Sequence, residues 1–171
     1  MSEKKIYNYL DQLLHKKICD IGRASNMLWV SIGENMIALD GKENEVKKST
    51  ISLHVQSTWR IVNKEKKEIL LASSDFYSPN STVTAENGFE WDVQGNNLFD
   101  EKSQIWLNKN KLICIKEYKV NRWGDLLLIF SNDNRLEIFI NSSDSTECWR
   151  IFKHHGNEEH LVVTGLGVEF E

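Results

Sequence analysis

From residue 51 onward, apolar and polar residues alternate with a period of two. In "ISLHVQSTWRIV", Ile51, Leu53, Val55, Ser57, Trp59 and Ile61 fall on one face, and Ser52, His54, Gln56, Thr58 and Arg60 on the other. This spacing predicts a half-buried antiparallel strand over 51–62, because strands buried on both faces read as continuous apolar runs. "EILLASSDFY" is its expected hairpin partner across the Asn63–Lys67 turn. Further strands are predicted in "LICIKEYKV", "DLLLIFSN", "RLEIFIN", "CWRIFK" and "LVVTGLGVEF", with turns at Asn121–Gly124 and Asn132–Asn134.

Ahead of residue 51 the period differs. Ile6, Leu10, Leu13, Leu14 and Ile18 recur at helical spacing, with Ser2 as a cap and Gly22 as a stop. "NMLWVSIGENMIALDG" reads as two short strands around Gly33–Asn35, closed by an Asp40-Gly41 turn. Residues 77–99 hold the chain's only proline and read as a long loop, followed by a short helix opened by Asp100. The pattern predicts one domain over 1–171 in the α+β class. It is strand-dominated, with an N-terminal helix followed by an antiparallel meander of about eight to nine strands. Trp-Arg-Ile occurs twice, at 59–61 and 149–151, each time before an apolar residue, a polar turn and an aliphatic run.

Composition narrows the function. The 171 residues are 40% hydrophobic and 27% charged with a formal net charge of −4. Lysines are scattered or alternate with glutamates, so no basic patch is expected to neutralise phosphates and nucleic acid is not an expected partner. No apolar run reaches the roughly 18 residues of a membrane helix, and the first residues lack a signal-peptide pattern. With Cys19, Cys114 and Cys148 odd in number and far apart, the chain reads as cytoplasmic, its thiols reduced and buried.

Among basic residues lysine is the default here, so arginines within strands point to tasks that need a planar forked donor. Arg60, Arg135 and Arg150 are such residues, with Asp75, Glu137 and Glu147 as candidate carboxylate partners or an anionic ligand as the alternative. His54, Gln56 and Arg60 lie in the polar row of the 51–62 strand. If the 77–99 loop covers that row, its Trp91 and Asp92 would wall a pocket. These five residues and Arg150 are the candidate binding positions. "HHGNEEH" gathers His154, His155, Glu158, Glu159 and His160, but at a turn and without the HExxH spacing of a helical zinc site, so it reads as a polar turn rather than a metal site. No cofactor is predicted. Nucleophile-elbow, Walker and G-x-G-x-x-G patterns are absent, and the carboxylates near "FEWDVQGNNLFDE" define no acid–base pair without known separations.

"LHVQSTWRI", "LLASSDFY", "WDVQGNNLFDE" and "RLEIFINSSDSTECWRIF…HLVVTG" together resemble a family of small uncharacterised bacterial proteins, over most of the chain from about residue 50 onward. The resemblance implies a single intracellular bacterial domain and assigns no catalytic residue. Two functions follow as expectations. One is a non-enzymatic interaction protein, for instance an immunity-type protein that binds and neutralises a toxin. The other is a small-ligand-binding domain with its pocket between the 51–62 strand and the 77–99 loop.

Overall fold

The computed structural model describes residues 2–39, 44–83, 88–155 and 158–171. Two antiparallel sheets enclose one core, and two α-helices flank them. In chain order the elements are α1 (Ser2–Asp11), β1 (Ile18–Ala24), β2 (Met27–Leu39), β3 (Glu45–Val55), β4 (Thr58–Asn63), β5 (Glu68–Ala72), a 3₁₀ turn (Ser73–Tyr77) and α2 (Leu98–Lys109). Then come β6 (Ile115–Val120), β7 (Leu126–Phe130), β8 (Asn134–Phe139), β9 (Glu147–Lys153), β10 (Leu161–Thr164) and β11 (Gly167–Phe170). One sheet has the order β1-β2-β3-β9-β10-β11, the other β5-β4-β8-β7-β6.

The strand-dominated α+β class stands, but the single meander of eight or nine strands gives way, among the described residues, to eleven strands in two sheets. The predicted strand 51–62 is in fact two strands. The chain leaves the first sheet after Val55 and enters the second at Thr58, yet Ile51, Leu53, Val55, Ser57, Trp59 and Ile61 are all buried. Both sheets face the same interior, so inward alternation continues through the crossover and hides it from the pattern.

The repeated Trp-Arg-Ile marks the two strands that follow a crossing from one sheet to the other. β4 enters the five-stranded sheet with Trp59 and Ile61 buried, and β9 enters the six-stranded sheet with Trp149 and Ile151 buried. Trp59 packs edge-on against Phe76 and Phe99. Trp149 donates its indole N–H to the Gly124 carbonyl in the β6–β7 turn, 2.9 Å away, tying the sheets together. The first crossover is held by the second: the amides of Gln56 and Ser57 both donate to the Cys148 carbonyl at the start of β9.

Other boundaries moved for local reasons. Helical spacing runs to Ile18, but α1 ends at Asp11 and Ile18 opens β1. Gly22 is no helix stop; it lies inside β1 under the Trp29 ring, where a Cβ would come within 2.2 Å of Cζ2. Gly33 does not separate two strands. It sits at a bulge within β2, at φ +93°, where a Cβ would meet Thr50 Oγ1 at 2.6 Å. The Asp40-Gly41 turn lies outside the described residues. "LVVTGLGVEF" divides into the β10–β11 hairpin, and "SSDFY" forms the 3₁₀ turn instead of extending β5. Cys148 is buried as expected, whereas Cys19 and Cys114 are only half-buried; all three are free thiols.

The cap of α2 is Asn97 rather than Asp100. Asn97 Oδ1 accepts the Asp100 amide at 2.9 Å, while Asp100 turns to Arg23 of β1. Arg23 Nε and Nη2 reach Asp100 Oδ1 and Oδ2 at 2.7 and 2.8 Å, with side chains only 1% and 6% exposed. Breaking a buried pair from one side leaves an uncompensated charge. We therefore expect Asp100→Asn or Arg23→Gln to lower stability by about 3–5 kcal/mol in urea unfolding. A paired apolar replacement, Arg23→Met with Asp100→Leu, should recover part of that loss. Loss from either single variant within the surface range of about 0–1 kcal/mol would show that the pair is not buried in solution.

Candidate functional site

Three of the sequence-predicted positions converge on the outer face of the six-stranded sheet. His54 of β3 and Arg150 of β9 are register partners there. Arg150 donates from Nε to Glu147 Oε1 at 2.8 Å and from Nη2 to Glu147 Oε2, and Gln56 also bonds Glu147. The other guanidinium nitrogen lies 3.2 Å from His160 Nδ1. A guanidinium can only donate, so His160 accepts at Nδ1 and carries its proton on Nε2. Phe152 centres the group, stacked on His160 at 4.7 Å and edge-on to His54 and His154 at 4.8 and 5.1 Å. His154 Nε2 shares a 2.7 Å hydrogen bond with Ser52 Oγ.

Burial pushes the pKa of His54 down, with Arg150 and His160 adding to the shift and Glu147 opposing it. Burial likewise lowers His154, helped by Lys48 and the neighbouring imidazoles. For Glu147 burial alone would raise the pKa, but the Arg150 hydrogen bond and charge, with the Gln56 bond, outweigh it and hold the carboxyl below its usual range. Among the described residues no three His, Cys, Asp or Glu side chains are grouped to hold a metal ion.

The remaining candidates lie elsewhere. Arg60 points from the outer face of the other sheet, where Nε donates to Glu137 Oε2 at 2.6 Å and the guanidinium stands 5.5 Å from the Phe139 ring. The polar row His54, Gln56, Thr58, Arg60 is therefore split by the sheet crossing. Glu137 and Glu147, both named as acids for these arginines, are the partners found. Trp91 packs on Tyr77 at 5.2 Å, and the carbonyls of Asp92 and Val93 accept from Arg23. Arg23 thus draws the loop over β1, where Gln94 and Gly95 wall a cleft of about 440 Å³ with Gly22 and Trp29. Of the expected pocket between the 51–62 strand and this loop, the part formed among the described residues is a cleft that Tyr77 lines with Gln56, Ser57 and Thr58; His54, Trp91 and Asp92 do not line it.

The sequence reading missed a different site. A cleft of about 330 Å³ opens where α1, the β6–β7 turn and the β10–β11 hairpin meet, lined by Ile6, Tyr7, Val120, Trp149, Val163 and Val168 with the turn residues Asn121–Gly124. Trp123 stands at its rim 65% exposed, with Arg122 over the ring at 4.5 Å, and Leu166 in the neighbouring turn is 71% exposed. The turn is built tightly. Asn121 Oδ1 accepts from the amides of Trp123 and Asp125, at 2.9 and 3.1 Å. Gly124 adopts φ +94°, and a Cβ there would meet Val163 Cγ1 at 2.7 Å. The available signal was "NRWGD" itself: a tryptophan in a polar hairpin turn has no core to enter.

A scan against family models finds no match, and neither do searches of curated proteins and solved structures. The family resemblance read from the motifs gains no support from them.

The histidine face yields a pH prediction. A histidine whose folded pKa lies below its unfolded value of about 6.5 binds more protons when unfolded, so its neutral burial favours the fold above that value and opposes it progressively as pH falls. Urea midpoints should therefore drop between pH 7 and pH 5.5, and less steeply in a His54→Gln, His154→Gln double variant. An identical slope in that variant would remove these imidazoles as the cause.

Proposed function

We propose that this chain is a non-enzymatic binding protein of the bacterial cytoplasm, which seats an apolar side chain of a protein partner in the cleft beside Trp123. The carrying observation is the exposed Arg122–Trp123 pair on a rigid turn beside an apolar hollow. Tryptophan, tyrosine and arginine dominate the energetics of protein interfaces, and a pre-set turn reduces the entropy lost on docking. Tyr7 supplies a second half-exposed ring to the same cleft. Arg122 makes no ion pair among the described residues, so its guanidinium is open to a carboxylate of the partner. An immunity-type protein that captures a toxin is one form of this reading. The free thiols and the acidic balance agree with a reducing compartment and a soluble partner.

Photo-crosslinking tests it. A benzophenone amino acid placed at position 123 in the source cells should capture one protein species in high yield. The same probe at Ile69, an exposed residue of β5, should not. Arg122→Glu should abolish the adduct while leaving thermal stability within a degree or two, since exposed substitutions cost about 0.5 kcal/mol or less. Equal capture from both positions, or none from position 123, would overturn the proposal.

A further inference from the structure

A third cleft, of about 430 Å³, opens beside the β3–β4 crossover. Four separate segments converge on it: the β1–β2 turn with Asn26, the crossover with Gln56, Ser57 and Thr58, the 3₁₀ turn with Ser73, Ser74 and Tyr77, and Asn141 after β8. Every polar side chain in this lining is an amide or a hydroxyl; none carries a charge at neutral pH.

Much of that capacity is unused. Among the described residues, the side chains of Asn26, Ser73 and Ser74 and the Tyr77 hydroxyl make no hydrogen bond within the protein. Ser57 is 7% exposed, and its hydroxyl is buried without a partner. That hydroxyl faces inward with the other buried positions of the strand and is closed to a ligand, so the donors and acceptors open to the cleft are those of Asn26, Ser73, Ser74 and Tyr77. Asn141 and Thr58 are already bonded to each other at 2.9 Å, which holds that side of the cleft in place. The remaining wall is aromatic. Tyr77 is 53% exposed and leans on Trp91, with ring centroids 5.2 Å apart and planes 55° to one another.

We infer that this cleft binds a neutral polyhydroxylated ligand, of the saccharide class. Hydroxyl-bearing ligands exchange donors and acceptors freely with amides and hydroxyls, and the C–H face of a sugar ring packs on an exposed aromatic. A charged ligand would lose its hydration here without meeting a counter-charge. The site is separate from the Trp123 cleft and does not depend on the protein-binding reading.

The test is nuclear magnetic resonance titration of the labelled protein with glucose, galactose, N-acetylglucosamine and their short oligomers, alongside glucuronate and glucose 6-phosphate as charged controls. Saturable shifts of the Asn26, Gln56 and Asn141 side-chain amides with at least one neutral saccharide are expected. They should weaken at least tenfold in Tyr77→Ala and in the pair Ser73→Ala, Ser74→Ala, both exposed or half-buried sites whose spectra report directly that the fold is retained. Tighter binding of the charged sugars, saturable shifts confined to another surface, or no saturable shift with any saccharide at millimolar concentration would each overturn the assignment.

Discussion

The contact on which most of the surface architecture depends is the buried ion pair between Arg23 and Asp100. A guanidinium has five N–H bonds, and all five are used: one to each Asp100 oxygen, and the others to the carbonyls of Ser25, Asp92 and Val93. The carboxylate is filled as well, accepting from Gln94 Nε2 and from the amide of Gly95, a glycine held at φ +90°. One arginine thus fixes the β1–β2 turn, the segment around Trp91 and the first turn of α2 relative to one another. A lysine, with three donors and no fork, could not meet this pattern. Such a pair adds little net stability over an apolar alternative, but any arrangement that separates it strands a charge away from water. Its effect is to select one arrangement.

The same logic explains why chemistry-bearing residues fall where they do. The interior is taken by aliphatic and aromatic side chains from both sheets, so polar side chains of β3, β4 and β9 must lie on the two outer faces. There Arg60 and Arg150 each meet an acid, Glu137 on the neighbouring strand β8 and Glu147 on the same strand β9. The Trp123 cleft and the Tyr77 cleft open instead at turns and at the β3–β4 crossover, where the chain leaves hollows that side chains do not fill.

What was legible in the sequence follows from which interactions are local. Burial alternation is local, and Leu53, Val55, Trp59 and Ile61 were placed correctly on inward faces. The carboxylates for Arg60 and Arg150 were within reach of the pattern, since Glu137 and Glu147 lie in strands recognised from their alternation. Sheet membership was not legible, because the inward phase is unbroken through Gln56-Ser57. Arg23 was passed over for the same kind of reason: its partner lies 77 positions away, across a loop that carries no periodicity. Trp123 was legible in principle, as a large aromatic in a turn, but only the fold shows that a hollow lies beside it.

The strand order has a consequence for biosynthesis. β9 lies between β3 and β10, so the six-stranded sheet is assembled from two parts of the chain with the whole five-stranded sheet encoded between them. A nascent chain that has completed β1, β2 and β3 exposes the β3 edge, with Leu53 and Val55 unsheltered, until Glu147–Lys153 leaves the ribosome. Unpaired strand edges invite association with other chains. The β4–β8 ladder can close earlier, giving the five-stranded sheet time to form first and offer a surface on which the interrupted sheet is completed. Translation speed across residues 56–153 therefore sets how long the vulnerable edge stays open.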